Sequence, residues 1–127
     1  MQCRAMIMTL GGSIEPIAKS ISYSRPEFIC FLVSEQSVQT LSEVLSIIDY
    51  EPKKHIVITS HPQIIVDCYE KARECIEHVR EKGYSCEDVI VDITGGTKTM
   101  TGGLAVAAAS LGYRFQYVGG SERDAVT

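Results

Sequence analysis

The chain has 127 residues and a mass of 14.0 kDa, which is the size of one domain, since domains most often run to roughly 100 to 150 residues. Hydrophobic residues make up 45% and charged residues 22%, a balance that excludes a disordered or fibrous chain. Twelve Lys and Arg against sixteen Asp and Glu give a net charge of -4, which is unsuited to holding long nucleic acid through its phosphates, so an anionic ligand has to be small.

The sequence predicts neither a membrane-spanning segment nor a disulfide-bonded framework. No apolar run approaches the ~20 residues that a helix needs to cross a bilayer, and no small-residue cleavage site follows the N-terminus, so we expect a cytoplasmic protein without a membrane partner. The five cysteines are odd in number and never spaced as Cys-x-x-Cys. This spacing predicts reduced thiols and neither a disulfide framework nor a metal site.

The first half of the chain alternates between strand-like and helix-like segments. Residues 5–10 are apolar and lead into a Gly-Gly-Ser turn at 11–13, after which apolar residues recur at helical spacing until Pro26. Residues 28–33 form a second apolar run, and the serines that follow it can cap a second amphipathic helix. The pattern predicts two successive strand–helix units.

The second half repeats this unit twice and ends in a strand. Residues 55–59 precede the longest helix, whose apolar residues lie three or four positions apart. A fourth apolar run at 89–93 leads into a Thr-Gly-Gly-Thr-Lys turn at 94–98 and a helix at 100–111. Residues 115–118 are predicted to form the last strand.

Alternating strands and helices, with strands that are nearly continuous apolar runs, are typical of a parallel sheet covered on both faces. Right-handed crossovers leave few ways to wind such a sheet. We therefore predict one α/β domain over residues 1–127, a Rossmann-like doubly wound, mainly parallel sheet of about five strands in the order 3-2-1-4-5 with helices on both faces. Ligands of such sheets bind beyond the carboxyl ends of the strands where the winding reverses, here between the first and fourth strands.

Both glycine-rich turns follow strands at that reversal. Glycines let the backbone approach a ligand closely, and the start of a helix favours an anion. The first turn, taken alone, is slightly better explained as a plain tight turn with Ser13 as a helix cap. The six positions 94–99 place two glycines and three threonines beside Lys98, which is more than a plain turn needs. The two turns together predict a site for a small anion.

Two well-known nucleotide fingerprints are absent. The second turn lacks the loop length of Gly-x-x-x-x-Gly-Lys-Ser/Thr, and no Gly-x-Gly-x-x-Gly follows the first strand, so neither ATP hydrolysis nor a dinucleotide cofactor is indicated. Asp92, just before the second turn, can orient Lys98 or backbone amides, or satisfy a neighbouring turn. His61 can flank a ligand at the same sheet end. Gly102 and Gly103 give the fourth helix a thin surface, which predicts close packing against its own sheet or a second copy.

The residues of the two turns carry a resemblance to a known family. A first strand ending in Gly-Gly-Ser followed by Ile-Glu-Pro, and a fourth strand running Val-Asp-Ile-Thr-Gly-Gly-Thr-Lys-Thr-Met into a small-residue helix, resemble the CRISPR-associated Rossmann fold (CARF) domain. The match is closest to CARF proteins with an Asp-x-Thr-Gly-Gly-Thr-Lys turn. The resemblance extends across essentially the whole chain, including residues 117–123, and is specific at the two turns.

The resemblance implies a sensor that binds cyclic oligoadenylate, either tetra- or hexa-adenylate, the second messenger of type III CRISPR systems. It implies a pocket shared by the two subunits of a homodimer. It also implies that residues 1–127 are the N-terminal sensor portion of a longer protein with an attached effector. Carried over position by position, the ligand-binding roles fall on Gly11, Gly12, Ser13, Thr94, Gly95, Gly96, Thr97, Lys98 and Met100.

Other functions stay open. Some family members cleave the ring without a metal, by positioning a ribose 2′-hydroxyl against the adjacent phosphate, and here Ser13, Thr97 and Lys98 are the candidates for stabilising the charge. No histidine or carboxylate pair demands cleavage, so binding alone is the preferred interpretation. A Rossmann-type enzyme using a mononucleotide or a methyl donor is a second alternative, weakly supported by Glu35 after the second strand. A pure dimerisation module, with structural glycine turns, is a third.

Overall fold

A computed structural model describes residues 3–119 and the backbone of residues 125–126. The strands are β1 (Ala5–Leu10), β2 (Phe28–Ser34), β3 (Lys53–Thr59), β4 (Val89–Asp92), β5 (Arg114–Val118) and β6 (Ala125–Val126). The α-helices are α1 (Glu15–Ser24), α2 (Val38–Ile47), α3 (Ile65–Glu81) and α4 (Lys98–Ala109). Short 3-10 turns occupy Glu35–Ser37 and Cys86–Asp88.

These strands form one sheet in the order β3-β2-β1-β4-β5-β6. The strands from β1 to β5 pair in parallel, which confirms the predicted fold class and strand order. The two-residue β6, antiparallel to β5, was not predicted, because so short a strand leaves no hydrophobic pattern in the sequence. Residues 120–123 of the segment that resembles the family lie outside the described residues.

The central strands are almost entirely apolar because helices cover both of their faces. Every residue of β1 and β2 is buried. On β1, Ile7 belongs to the core beneath α3 and α4, whereas Met6 and Met8 belong to the core beneath α1 and α2. Burial of each such side chain contributes about 1.5 to 3 kcal/mol, so these strands form the rigid platform of the fold. None of the helices in the described part of the chain is long and apolar enough to cross a membrane.

Two helices begin at positions other than those predicted. The sequence places the opening of α3 near Pro62, but the helix begins at Ile65, and the preceding loop instead packs on the start of α4. The helix α4 begins at Lys98, two residues before the predicted start, because the hydroxyl of Thr97 accepts a hydrogen bond from the backbone N–H of Met100 and caps the first turn.

The thin surface of α4 is explained in part by its neighbour α3. A Cβ on Gly103 would lie 2.8 Å from the backbone nitrogen of Tyr69 and 2.9 Å from the backbone carbon of Cys68. At Gly103 the close packing is therefore against a helix of the same chain and not against the sheet. Gly102 is different, since its nearest contact would be the end of the Ile65 side chain at 3.7 Å.

Candidate functional site

The two glycine turns touch each other at the carboxyl ends of β1 and β4. A Cβ on Gly11 would lie 2.8 Å from the backbone nitrogen of Gly96, and one on Gly95 would lie 3.1 Å from the nitrogen of Gly11. Gly96 has a φ of +90°, a conformation that favours glycine, whereas neither glycine of the first turn has a positive φ. Close approach of the two backbones, rather than an unusual φ, is what requires glycine at Gly11.

Thr9 connects the first strand to the second turn through a side-chain hydrogen bond. It is fully buried, and its hydroxyl donates a 2.5 Å hydrogen bond to the carbonyl oxygen of Gly95. This residue was not predicted to belong to the site. The available signal was a threonine inside an otherwise apolar strand, two positions before the first glycine turn.

A buried carboxylate supports the second turn from the side of the core. One oxygen of Asp92 accepts a 2.9 Å hydrogen bond from the backbone N–H of Thr94. The other oxygen accepts hydrogen bonds from the Ser20 hydroxyl and, at 2.9 Å, from the Gln116 amide. Asp92 was predicted to orient Lys98 or backbone amides, or to satisfy a neighbouring turn, and in the structure it orients the backbone amide of Thr94. Ser20 and Gln116, which the sequence analysis missed, link this turn to α1 and β5.

The threonines at positions 94, 97 and 99 hold the second turn in place through hydrogen bonds to neighbouring segments. The Thr94 hydroxyl accepts a 2.9 Å hydrogen bond from the backbone N–H of Val118 and so ties the turn to β5. The Thr97 hydroxyl caps α4 and also donates a 2.6 Å hydrogen bond to the carbonyl oxygen of Pro62. Thr99 donates to the same carbonyl oxygen. The turn thereby holds the loop between β3 and α3 against the site.

The β3–α3 loop contributes residues other than the one expected. The backbone N–H of His61 donates a 3.0 Å hydrogen bond to the Thr59 hydroxyl, and the His61 side chain is not among those lining the cavities described below. Pro62 and Gln63 line the larger cavity instead. The ligand-flanking role considered for His61 stays a prediction.

Ser13 and Lys98 have the least constrained side chains of the predicted set. Ser13 is exposed, and α1 starts from Ile14 without a side-chain cap, so the capping role considered for Ser13 is wrong. Lys98 is exposed at the first position of α4. Its ammonium group forms no hydrogen bond or ion pair with any residue in the described ranges.

Two cavities border the touching turns. The smaller, of about 210 Å³, lies towards β5 and is lined by Gly11, Gly12, Ser13, Pro16, Ile17, Thr94, Gly95, Gly96, Tyr117, Val118 and Gly119. The larger, of about 460 Å³, lies towards α2 and is lined by Leu10, Gly11, Gly12, Ser34, Gln36, Ser37, Thr40, Pro62, Gln63, Gly96, Thr97 and Met100. The structure thus brings eight of the nine predicted binding residues to these cavities, with Lys98 outside both linings.

The cavities offer hydroxyls, amides and backbone N–H groups and no charged side chain in their described linings. Residues 3–119 contain no group of three or more His, Cys, Asp or Glu that could hold a metal ion. Because Thr97 caps only the N–H of Met100, the N–H groups of Lys98 and Thr99 keep no acceptor among the described residues. The chemistry available here is anion binding at a helix start.

Comparisons with known proteins agree with this architecture. No protein-family profile matches the chain, and a search of curated proteins finds no match. Among solved structures, the chain matches Can2 from Sulfobacillus thermosulfidooxidans in complex with cyclic tetra-adenylate (cA4), with a TM-score of 0.71 and 16% identity over 91% of this chain. It also matches a type III CRISPR defence DNA nuclease activated by cyclic oligoadenylate, with a TM-score of 0.64 and 14% identity over 93% of this chain.

The chain shares the fold of these two proteins, a parallel α/β sheet of Rossmann type. The matched region makes up 32% of the Can2 chain and 19% of the nuclease chain, so the chain spans only a part of the length of either protein. At these identities the likeness concerns the fold, and the chemistry of the site rests on the residues described above.

Proposed function

We propose that this chain is a cyclic oligoadenylate-binding sensor domain of a type III CRISPR defence protein, acting in the cytoplasm and controlling an attached effector. The observation that carries the proposal is the meeting of two glycine turns at the winding reversal of a CARF-like fold. Ligand-sized cavities lie on both sides of that meeting point. The two solved structures of this fold are described as a complex with cA4 and as a nuclease activated by cyclic oligoadenylate.

In this proposal the ligand phosphate lies over the turns. The unpaired N–H groups at Lys98 and Thr99, together with the partial positive charge at the start of α4, favour an anion there. The exposed Ser13 hydroxyl supplies a further donor from the first turn. Lys98 supplies the full positive charge, since its exposed ammonium group has no partner among the described residues that would compete with the ligand.

Binding fits the site better than ring cleavage. Of the three cleavage candidates, Thr97 already accepts from Met100 and donates to Pro62, so its hydroxyl has a structural task. Ser13 and Lys98 remain available, and both serve equally well as binding groups. We therefore assign the domain a sensing role.

A twofold homodimer completes the proposed pocket. A ring of identical nucleotides is matched by two identical half-sites, and C2 pairing is the commonest oligomeric arrangement. The helix α4 exposes Val106 at 62% beside its small residues, which is suited to contact with a second copy. Analytical ultracentrifugation with and without ligand tests this part, and a monomer at micromolar concentration under both conditions contradicts it.

Calorimetry with cyclic tetra-adenylate and cyclic hexa-adenylate tests the function itself, with linear oligoadenylate as the control. We expect one of the cyclic ligands to bind more tightly than its linear counterpart. No binding of either ring overturns the proposal.

A matched pair of variants at Gly12 locates the binding at the turns. Gly12 lines both cavities, and a Cβ there would meet nothing within 4 Å, so a side chain fits without strain. Gly12→Asp adds a negative charge beside the proposed phosphate position, whereas Gly12→Asn adds the same bulk without charge. We expect the Asp variant to bind the ring at least about tenfold more weakly than the Asn variant. Equal affinities of the two variants refute an anion site at this turn.

A further inference from the structure

The larger cavity has the chemistry of a site for a flat, uncharged group. Its floor is apolar, because Leu10 and Met100 are buried in the core beneath it. Its walls carry amides and hydroxyls, and no charged side chain belongs to its described lining. Its volume of about 460 Å³ lies within the ~300 to 1,000 Å³ typical of small-molecule sites. A nucleobase placed there finds both an apolar surface and polar partners.

Two glutamines supply the amide side chains of this cavity. Gln36 follows β2 and Gln63 follows β3, so the two amides enter from the loops of adjacent parallel strands. Both side chains are exposed, and neither forms a hydrogen bond with another described residue. The Ser34 and Ser37 hydroxyls, by contrast, are bonded to each other and to the local backbone.

We infer that the larger cavity is an adenine-binding subsite in which Gln36 and Gln63 recognise the edge of the base. The inference rests on the proposed function and adds to it the residues that select the base. A glutamine amide carries one donor and one acceptor side by side, which matches the N6 donor and N7 acceptor of adenine.

The position of the cavity relative to the turns supports this assignment. Gly11, Gly12 and Gly96 line both cavities, so the two spaces share one wall. A phosphate over the turns therefore lies within one nucleotide of the larger cavity. The base of that nucleotide enters between Gln36 and Gln63, while the sugar–phosphate chain stays over the glycines.

Base selectivity, rather than affinity alone, tests the inference. Inosine replaces the N6 donor of adenine by an oxygen acceptor, so a cyclic oligoinosinate of the same ring size is the comparison ligand. We expect the wild-type protein to prefer the adenylate ring by about tenfold or more, and the double variant Gln36→Ala/Gln63→Ala to reduce that preference to less than about threefold. Gln39→Ala, an exposed glutamine of α2 outside the cavity lining, is the control and should keep the wild-type preference.

The outcomes separate the inference from the proposed function. A wild-type protein that binds no ring overturns the proposed function. A wild-type protein that binds the adenylate ring, with a double variant of unchanged selectivity, overturns only the adenine subsite. If the alanine variants melt below the assay temperature, the pair Gln36→Met and Gln63→Met, which keeps the side-chain length but loses both the amide donor and the amide acceptor, gives the same readout.

Discussion

The contact between α3 and α4 predicts opposite effects for alanine at two adjacent glycines. At Gly103, the new methyl group would lie 2.8 Å from the Tyr69 nitrogen and 2.9 Å from the Cys68 carbon, both of which are backbone atoms of α3. Ordinary contact begins near 3.4 Å, so the two helices have to separate by about 0.6 Å at this point. At Gly102 the nearest atom is the flexible end of Ile65 at 3.7 Å, and nothing has to move.

The magnitudes follow from these distances. Overpacking a core costs typically about 1 to 3 kcal/mol, and we take about 3 for Gly103→Ala because the obstacle is backbone. Replacing glycine by alanine inside a helix returns about 1 kcal/mol. We therefore expect Gly103→Ala to lower the free energy of unfolding by about 2 kcal/mol and Gly102→Ala to raise it by about 1 kcal/mol. At roughly 4 °C per kcal/mol, Tm falls by about 8 °C in the first variant and rises by about 4 °C in the second.

Urea unfolding followed by circular dichroism measures both variants, with thermal melts as a second readout. The wild-type protein and the two variants are compared at one concentration, because association with a second copy would change the apparent stability. A Gly103→Ala protein as stable as Gly102→Ala would refute the reasoning, since the two helices would then separate without cost.

Three further perturbations address the site and its surroundings. Lys98→Ala should weaken cyclic oligoadenylate binding by at least about tenfold in calorimetry. Its Tm should stay unchanged, because the side chain is exposed. An unchanged affinity would mean that backbone and hydroxyl groups alone recognise the ligand. Asp92→Asn places an amide donor against one of the three donors around it. We expect this variant to lower the free energy of unfolding, measured by urea unfolding, by about 1 to 3 kcal/mol. An unchanged free energy of unfolding would show that the network adapts. Burial and the stacked ring of His55 lower the pKa of His78, so the unfolded chain binds this proton more readily, and stability should fall as the pH drops below about 6.5. His78→Gln should flatten that part of the pH profile between pH 5 and 8, and an identical profile would contradict the assignment.

The fold was predictable because its signals are local and repeated. Nearly continuous apolar runs at 5–10, 28–33 and 89–93 indicated strands covered on both faces, and the right-handedness of crossovers left few possible strand orders. The boundaries of α3 and α4 were less accurate, because the hydroxyl of Thr97 and the carbonyl of Pro62 decide them through contacts between distant segments.

The predicted turns of the site were brought together, but their supports were not foreseen. Ser20 and Gln116 bond to each other across 96 positions of sequence, and both lie on segments whose pattern shows only which face is apolar. A polar residue at the edge of such a face has no sequence signal that distinguishes a buried network from a solvated position. Gln36 and Gln63 were missed for a related reason, since single loop glutamines belong to no motif.

Because the two glycine turns are in contact, the residue allowed in one turn depends on the residue present in the other, although the turns are far apart in the sequence. Because a side chain at Gly11 would collide with the backbone at Gly96, and a Cβ at Gly95 would lie 3.1 Å from the nitrogen of Gly11, positions 11 and 95 do not tolerate bulk unless the other turn moves away. We expect glycine at positions 11 and 95 to be gained and lost together along evolutionary lineages. A sequence search that requires both turns at once should therefore find related proteins even at 14% to 16% identity, as seen here. At that level, overall sequence similarity does not distinguish related proteins from unrelated ones.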